Sequence, residues 1–184
     1  PTYILLNWSD SLNSITTLGH EMGHAIHGEL SKTQPILYKG HTIAVAEVAS
    51  TLFENFVFSE VFPLLSNKEK AIALFEKLQN SISTIFRQIA LFNFEKELHT
   101  TINEKGSMNK EELAELMNKH LSSYIGPICK LTKDDGYLFV RWPHIRYFFY
   151  VYSYAHGEIV STALYNKYKQ DPSYIEKINR FMKA

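Results

Sequence analysis

From residue 67 to residue 104 the chain runs without a glycine or a proline, and Ile72, Leu74, Phe75, Leu78, Ile82, Ile85, Phe86 and Leu91 recur near the helical period. Such a stretch has nothing to turn it back on itself, so it predicts long helices, and most of the sequence agrees. Residues 14–30, SITTLGHEMGHAIHGEL, read as a helix with Leu18, Met22, Ala25 and Ile26 on its apolar face and Gly28 near its end. Pro35 and Gly40 mark a loop, and residues 42–62 give a second helix that stops before Pro63. Another follows Gly106 and runs to residue 125. Pro127 and the Asp135-Gly136 turn signal then break the pattern, and Asp171 before Pro172 opens a last short helix. Residues 2–8, TYILLNW, are rich in β-formers and predict a strand. The expected fold class is therefore mainly α, with a short edge strand or small sheet.

Composition narrows the partners. At 184 residues and 45% hydrophobic content, the chain predicts one domain over residues 1–184 with a real core. Nineteen basic residues balance nineteen acidic ones, so no net charge draws it to nucleic acid or an anionic membrane. No apolar run reaches the length that spans a bilayer. Cys129 is the only cysteine, which excludes an intrachain disulfide and fits a reducing compartment; it is expected to be a buried small hydrophobe. These features predict a soluble, cytoplasmic protein. The opening at Pro1, with an apolar run beginning almost at once, suggests a piece of a longer protein.

Residues 20–27, HEMGHAIH, carry the chemistry. On a helix His20 and His24 stand one turn apart on one face, close enough to share an ion, and the spacing is that of an H-E-x-x-H zinc motif. A catalytic zinc takes three protein ligands and leaves a position for water, so two histidines are one ligand short. Glu21, about 100° around the helix from His20, is placed to act as a general base without ligating. The second helix offers Glu47 and Glu54, seven apart and on one face, as third ligand and as acceptor of an imidazole N–H; spacing alone leaves their order open. His27, a turn beyond His24, is expected to meet the helix-end dipole, and His41 to be an exposed loop residue.

The stretches HEMGHAIH and AVAEVASTLFE, the lead-in YILLNWSDSLNSITTLGHE and the tract WPHIRYFFYVYSYAHG together resemble the oligoendopeptidase F branch of the M3, thimet oligopeptidase-like, zinc peptidases. The resemblance spans almost the whole chain and implies a zincin-type helical catalytic domain. It makes His20, His24 and Glu47 the ligands of one zinc ion, leaves Glu54 beside them, and makes Glu21 the catalytic acid/base. It further implies that His144 and Tyr152 hydrogen-bond the substrate carbonyl, with Tyr147 and Tyr150 lining the substrate site. The alternation of Tyr150, Tyr152 and Tyr154 favours a strand; the resemblance implies a helix. Members of this family are several times longer, so their N-terminal helical portion and C-terminal tail are expected to be missing here.

The function expected is hydrolysis of short peptides by metal-activated water, and the resemblance implies that the edge strand pairs with an extended substrate. The alternatives are a metallocarboxypeptidase or aminopeptidase, with Arg141 or Arg146 gripping a carboxylate, and a non-catalytic zinc-binding helical module. Self-association of the chain is also expected, through an exposed apolar face.

Overall fold

The computed structural model describes residues 2–38, 40 and 42–183; His41 lies outside them. Its helices are α1 (Leu12–Leu30), α2 (Ile43–Val61), α3 (Asn67–Ile82), α4 (Gln88–Lys105), α5 (Lys110–Ile125), α6 (Leu138–Arg141), α7 (Tyr152–Gln170) and α8 (Ile175–Met182). Between α3 and α4 the residues Ser83–Arg87 form a π-helical segment, so the long run without glycine or proline is helical throughout. No strand occurs among the described residues. Residues 2–9 carry no regular structure, with Tyr3 and Leu5 85% and 96% exposed, which corrects the expected edge strand: β-forming residues make a strand only where a second one pairs with them.

The chain divides into two compact units, residues 1–81 with 156–184, and residues 82–155. In the first, α1 packs on α2, and Ala49, Leu52, Ile178 and Met182 form a core joined by Ile26, Leu30, Phe56 and Phe181. The buried positions of α1 are Ser14, Gly19, Gly23 and His27, whereas Met22 is 40% exposed. Of the expected apolar face, Ile26 joins the core, Leu18 and Ala25 are half-buried and Met22 is corrected to exposed; the buried positions other than His27 are the small ones, which let the α1 backbone approach α2. A Cβ at Gly23 would stand 2.6 Å from Ser50 Cα and 2.7 Å from the Ala49 carbonyl oxygen. His27 closes that face, fully buried and stacked on Phe181, rather than sitting at an open helix end. Similarly, a Cβ at Gly157 of α7 would lie 2.9 Å from the Glu47 backbone. Of the apolar positions in α3 only Ala73 is buried; Leu74, Phe75 and Leu78 are exposed.

In the second unit α4 packs on α5, which begins with a reciprocal cap between Asn109 and Glu112. Leu91, Phe94, Leu116, Met117, Leu121, Trp142 and Val151 make its core. The Asp135-Gly136 turn is a short 3-10 helix laid so closely on α5 that a Cβ at Gly136 would fall 2.2 Å from the Ala114 carbonyl oxygen. Cys129 follows another 3-10 turn and is exposed, contrary to expectation: the turn at Gly126 and Pro127 carries it away from the core.

Candidate metal centre and aromatic tract

Helix α1, capped by Ser11, carries His20 and His24 one turn apart, with Glu21 next to His20. The Nε2 atoms of His20 and His24 are 3.2 Å apart with the rings edge to face. Glu47, 4% exposed on α2, brings Oε2 to 3.8 Å from His20 Nε2. One donor atom from each residue lies within 4.8 Å of the others. A tetrahedral zinc with bonds near 2.0–2.2 Å sets its ligand atoms about 3.3–3.6 Å apart, so the 3.2 and 3.8 Å separations fit such an ion as they stand and the widest, up to 4.8 Å, closes by about 1 Å through side-chain rotation.

The surroundings favour the same fit. Glu54 Oε1 bonds to His20 Nδ1; with Glu54 as acceptor, Nδ1 carries the hydrogen and Nε2 keeps a lone pair toward His24 and Glu47. Burial pulls the His20 pKa down, but the Glu54 hydrogen bond and the charges of Glu54, Glu47 and Glu21 outweigh it, and the net shift is upward. Three carboxyl groups therefore converge on a place that suits positive charge. Ser50 Oγ lies 3.3 Å from Glu47 Oε2 and 3.1 Å from the Glu47 carbonyl oxygen, holding the buried side chain. Glu21 is half-buried beside His20.

The tract from Trp142 to Tyr154 makes a second cluster, within the second unit. His144, on a 3-10 turn, shares a hydrogen bond with the Tyr154 hydroxyl at 3.1 Å. Its ring is 5.1 Å from that of Tyr150, which in turn lies 5.5 Å from Tyr154 and 6.3 Å from Tyr147. Burial lowers the His144 pKa, keeping the imidazole neutral near pH 7. Tyr152 stands apart from these rings, 47% exposed and 6.1 Å from Phe92. The helix expected here begins at Tyr152, leaving Tyr150 just before it.

The sequence model of peptidase family M3 matches residues 1–181. The chain belongs to that family. It is 33% identical over 185 residues to oligopeptidase PepF of Bacillus subtilis, covering 99% of this chain and 28% of that protein. An oligoendopeptidase F homolog of Borreliella burgdorferi is also 33% identical, over 99% of this chain and 32% of its own length. Among solved structures, oligoendopeptidase-F from Enterococcus faecium superposes with a TM-score of 0.75 at 29% identity, covering 94% of this chain and 31% of that one. A putative peptidase from Chlamydophila abortus gives 0.79 at 29%, covering 98% and 31%. The chain thus spans about a third of the length of these relatives.

Three further residues of this M3 chain bear on the two clusters. Ser50 follows Glu47 by one helical turn, a spacing that signals contact. Tyr154 stands four residues after Tyr150, so the two share a side while Tyr152 faces away; its bond to His144 depends on a chain reversal that no residue type announces. Lys77, bonded to Asn55 Oδ1 at 2.8 Å and acting electrostatically on Glu54 and Glu158, has its pKa lowered by burial, which those charges only partly offset. Its half-buried position in a helix whose large apolar residues are exposed left no mark in the sequence.

Proposed function

We propose that residues 1–184 form the catalytic domain of a cytoplasmic zinc-dependent endopeptidase that hydrolyses short peptides. The observation that carries this reading is the convergence of His20, His24 and Glu47 donor atoms within 4.8 Å, with Glu21 on the adjoining position of α1. The names of the relatives, oligopeptidase and oligoendopeptidase F, supply the substrate class. A lone cysteine fits the compartment.

His20, His24 and Glu47 would hold one zinc ion, which when bound polarises the scissile carbonyl and brings the pKa of a water toward ~7. Glu21 accepts the proton of the attacking water and delivers it to the leaving amine. Glu54 holds His20 in the tautomer that leaves Nε2 free to ligate, and Ser50 holds the Glu47 carboxylate. On the family pattern, Tyr152 and the neutral imidazole of His144 donate hydrogen bonds to the developing oxyanion, and Tyr147 and Tyr150 line the bound peptide.

Glu21→Gln tests the division between binding and chemistry. The amide keeps the shape of the side chain but cannot accept the proton, so the variant is expected to retain stoichiometric zinc and lose nearly all turnover of a blocked peptide. Loss of zinc would make Glu21 a ligand, and undiminished turnover would remove it from the reaction.

A further inference from the structure

Glu95 is fully buried in α4, yet it takes no part in the chemistry described above. Its Oε1 accepts the backbone N–H of Phe149 at 2.7 Å, and its Oε2 has no hydrogen-bond partner among the described residues. A buried carboxyl left half-satisfied is costly and calls for a reason.

Phe149 supplies one. It is the only non-glycine residue with a positive φ, +55°, among the described residues, and a bulky aromatic adopts that region only when its surroundings compel it. Phe92, Glu95 and His99 are spaced three and four apart and so form one stripe along α4. The Phe149 ring lies 5.8 Å from Phe92 and 5.1 Å from His99, and its N–H meets Glu95 between them. His99 Nε2 is also 4.0 Å from Glu95 Oε1. The stripe therefore grips one residue by its ring and its backbone.

That residue is the corner at which the chain turns from His144 toward Tyr150 and Tyr154. With φ positive at Phe149, His144 folds back on the two tyrosines; with φ relaxed to negative, the segments before and after it diverge. We infer that Glu95 is a positioning residue: by anchoring the Phe149 N–H it holds the corner that brings His144 into hydrogen-bonding contact with Tyr154. Its effect on catalysis rests on the reading of His144 as an oxyanion donor.

Three variants of the intact protein test this, with zinc content, kcat, KM and the 15N resonances of the His144 imidazole measured on each. Glu95→Leu is expected to lower kcat about 10²-fold, the scale of a reacting group displaced by about 1 Å, with zinc and KM unchanged and the His144 resonances moved toward those of a free imidazole. Glu95→Gln, whose amide oxygen accepts the same N–H, is expected to stay within about fivefold of the parent in kcat and to keep the parent resonances. Adding Phe149→Gly to Glu95→Leu is expected to restore much of the loss, because glycine adopts the positive φ without an anchor. Full activity of Glu95→Leu, equal damage from Glu95→Gln, or no rescue by glycine would overturn the proposal. Should Glu95→Leu fail to fold, hydrogen exchange of the Phe149 amide in the unaltered protein decides: core-like protection is expected, and exchange at the rate of an open loop would overturn it. If His144→Gln itself leaves kcat untouched, the donor reading fails, while the imidazole resonances and amide exchange still judge the anchor.

Discussion

His20 is held from both sides, by Glu54 at Nδ1 and by His24 and Glu47 around Nε2, and the two acids should separate by experiment. Glu54→Ala is expected to cost the ~10–100-fold in zinc affinity typical of a residue that orients a ligand, and Glu47→Ala considerably more; zinc competition titrations showing the reverse order would exchange their roles. Tyr152→Phe is expected to lower kcat about 10²–10³-fold at constant zinc content, and the same loss from Tyr154→Phe instead would move the donor two residues. His144 gives a pH signature. Its folded pKa lies below 6.5, so the unfolded chain takes up a proton that the folded chain refuses. Stability is therefore expected to fall as pH drops from about 6.5 to the folded value, and to show no contribution from this group above about 6.5. In urea midpoints measured against pH, His144→Gln should flatten that decline; an unchanged slope would show that the imidazole is not its source. Fixed spacing on a helix set His20 beside His24 and offered Glu47 and Glu54 from one face of the next helix, while the choice of Glu47 as third ligand came from the family resemblance. The bond between Tyr154 and His144 and the place of Glu95 were not legible, because they depend on a backbone angle at Phe149 that no aromatic residue advertises.

At the level of helices, the approach of α1 to α2 sets the spacing of the candidate metal-binding residues. Gly23→Ala would press a methyl into the backbone of Ser50 and Ala49 and is expected to destabilise the protein by about 1–3 kcal/mol while weakening zinc binding, since Glu47 rides on the displaced helix. Gly28→Ala, on the same helix with open space around it, is the control and is expected to stabilise by up to about 1 kcal/mol. Thermal midpoints that fail to separate the two would show that α1 and α2 can part without consequence. The same contact explains why the helix itself was easy to read and its buried face was not. Hydropathy favours Leu18 and Met22, but burial here follows backbone approach, which selects Gly19, Gly23 and the flat ring of His27. The strand expected at residues 2–8 failed for a related reason: local preference cannot supply a pairing partner.

Taken whole, the chain presents an apolar face on α3, where Leu74, Phe75 and Leu78 are 52%, 67% and 61% exposed. The 184-residue chain in isolation is expected to self-associate through that face, so sedimentation should show a mass that rises with concentration, and Phe75→Glu with Leu78→Glu should hold it monomeric. A concentration-independent mass for the unaltered chain would dismiss this. Length and period made the helical class legible; the division into two units left no linker or shift of composition to read. Gly19, Gly23 and Gly157 carry the remaining consequence. They contribute by having no atoms where others would collide, so a survey that truncates side chains to find functional positions would pass over all three. The candidate centre is guarded by vacancy, and its weak points are revealed by insertion: one methyl group at Gly157 meets Glu47 itself, and at Gly19 or Gly23 it meets the helix that carries Glu47, from positions that bear no chemistry at all.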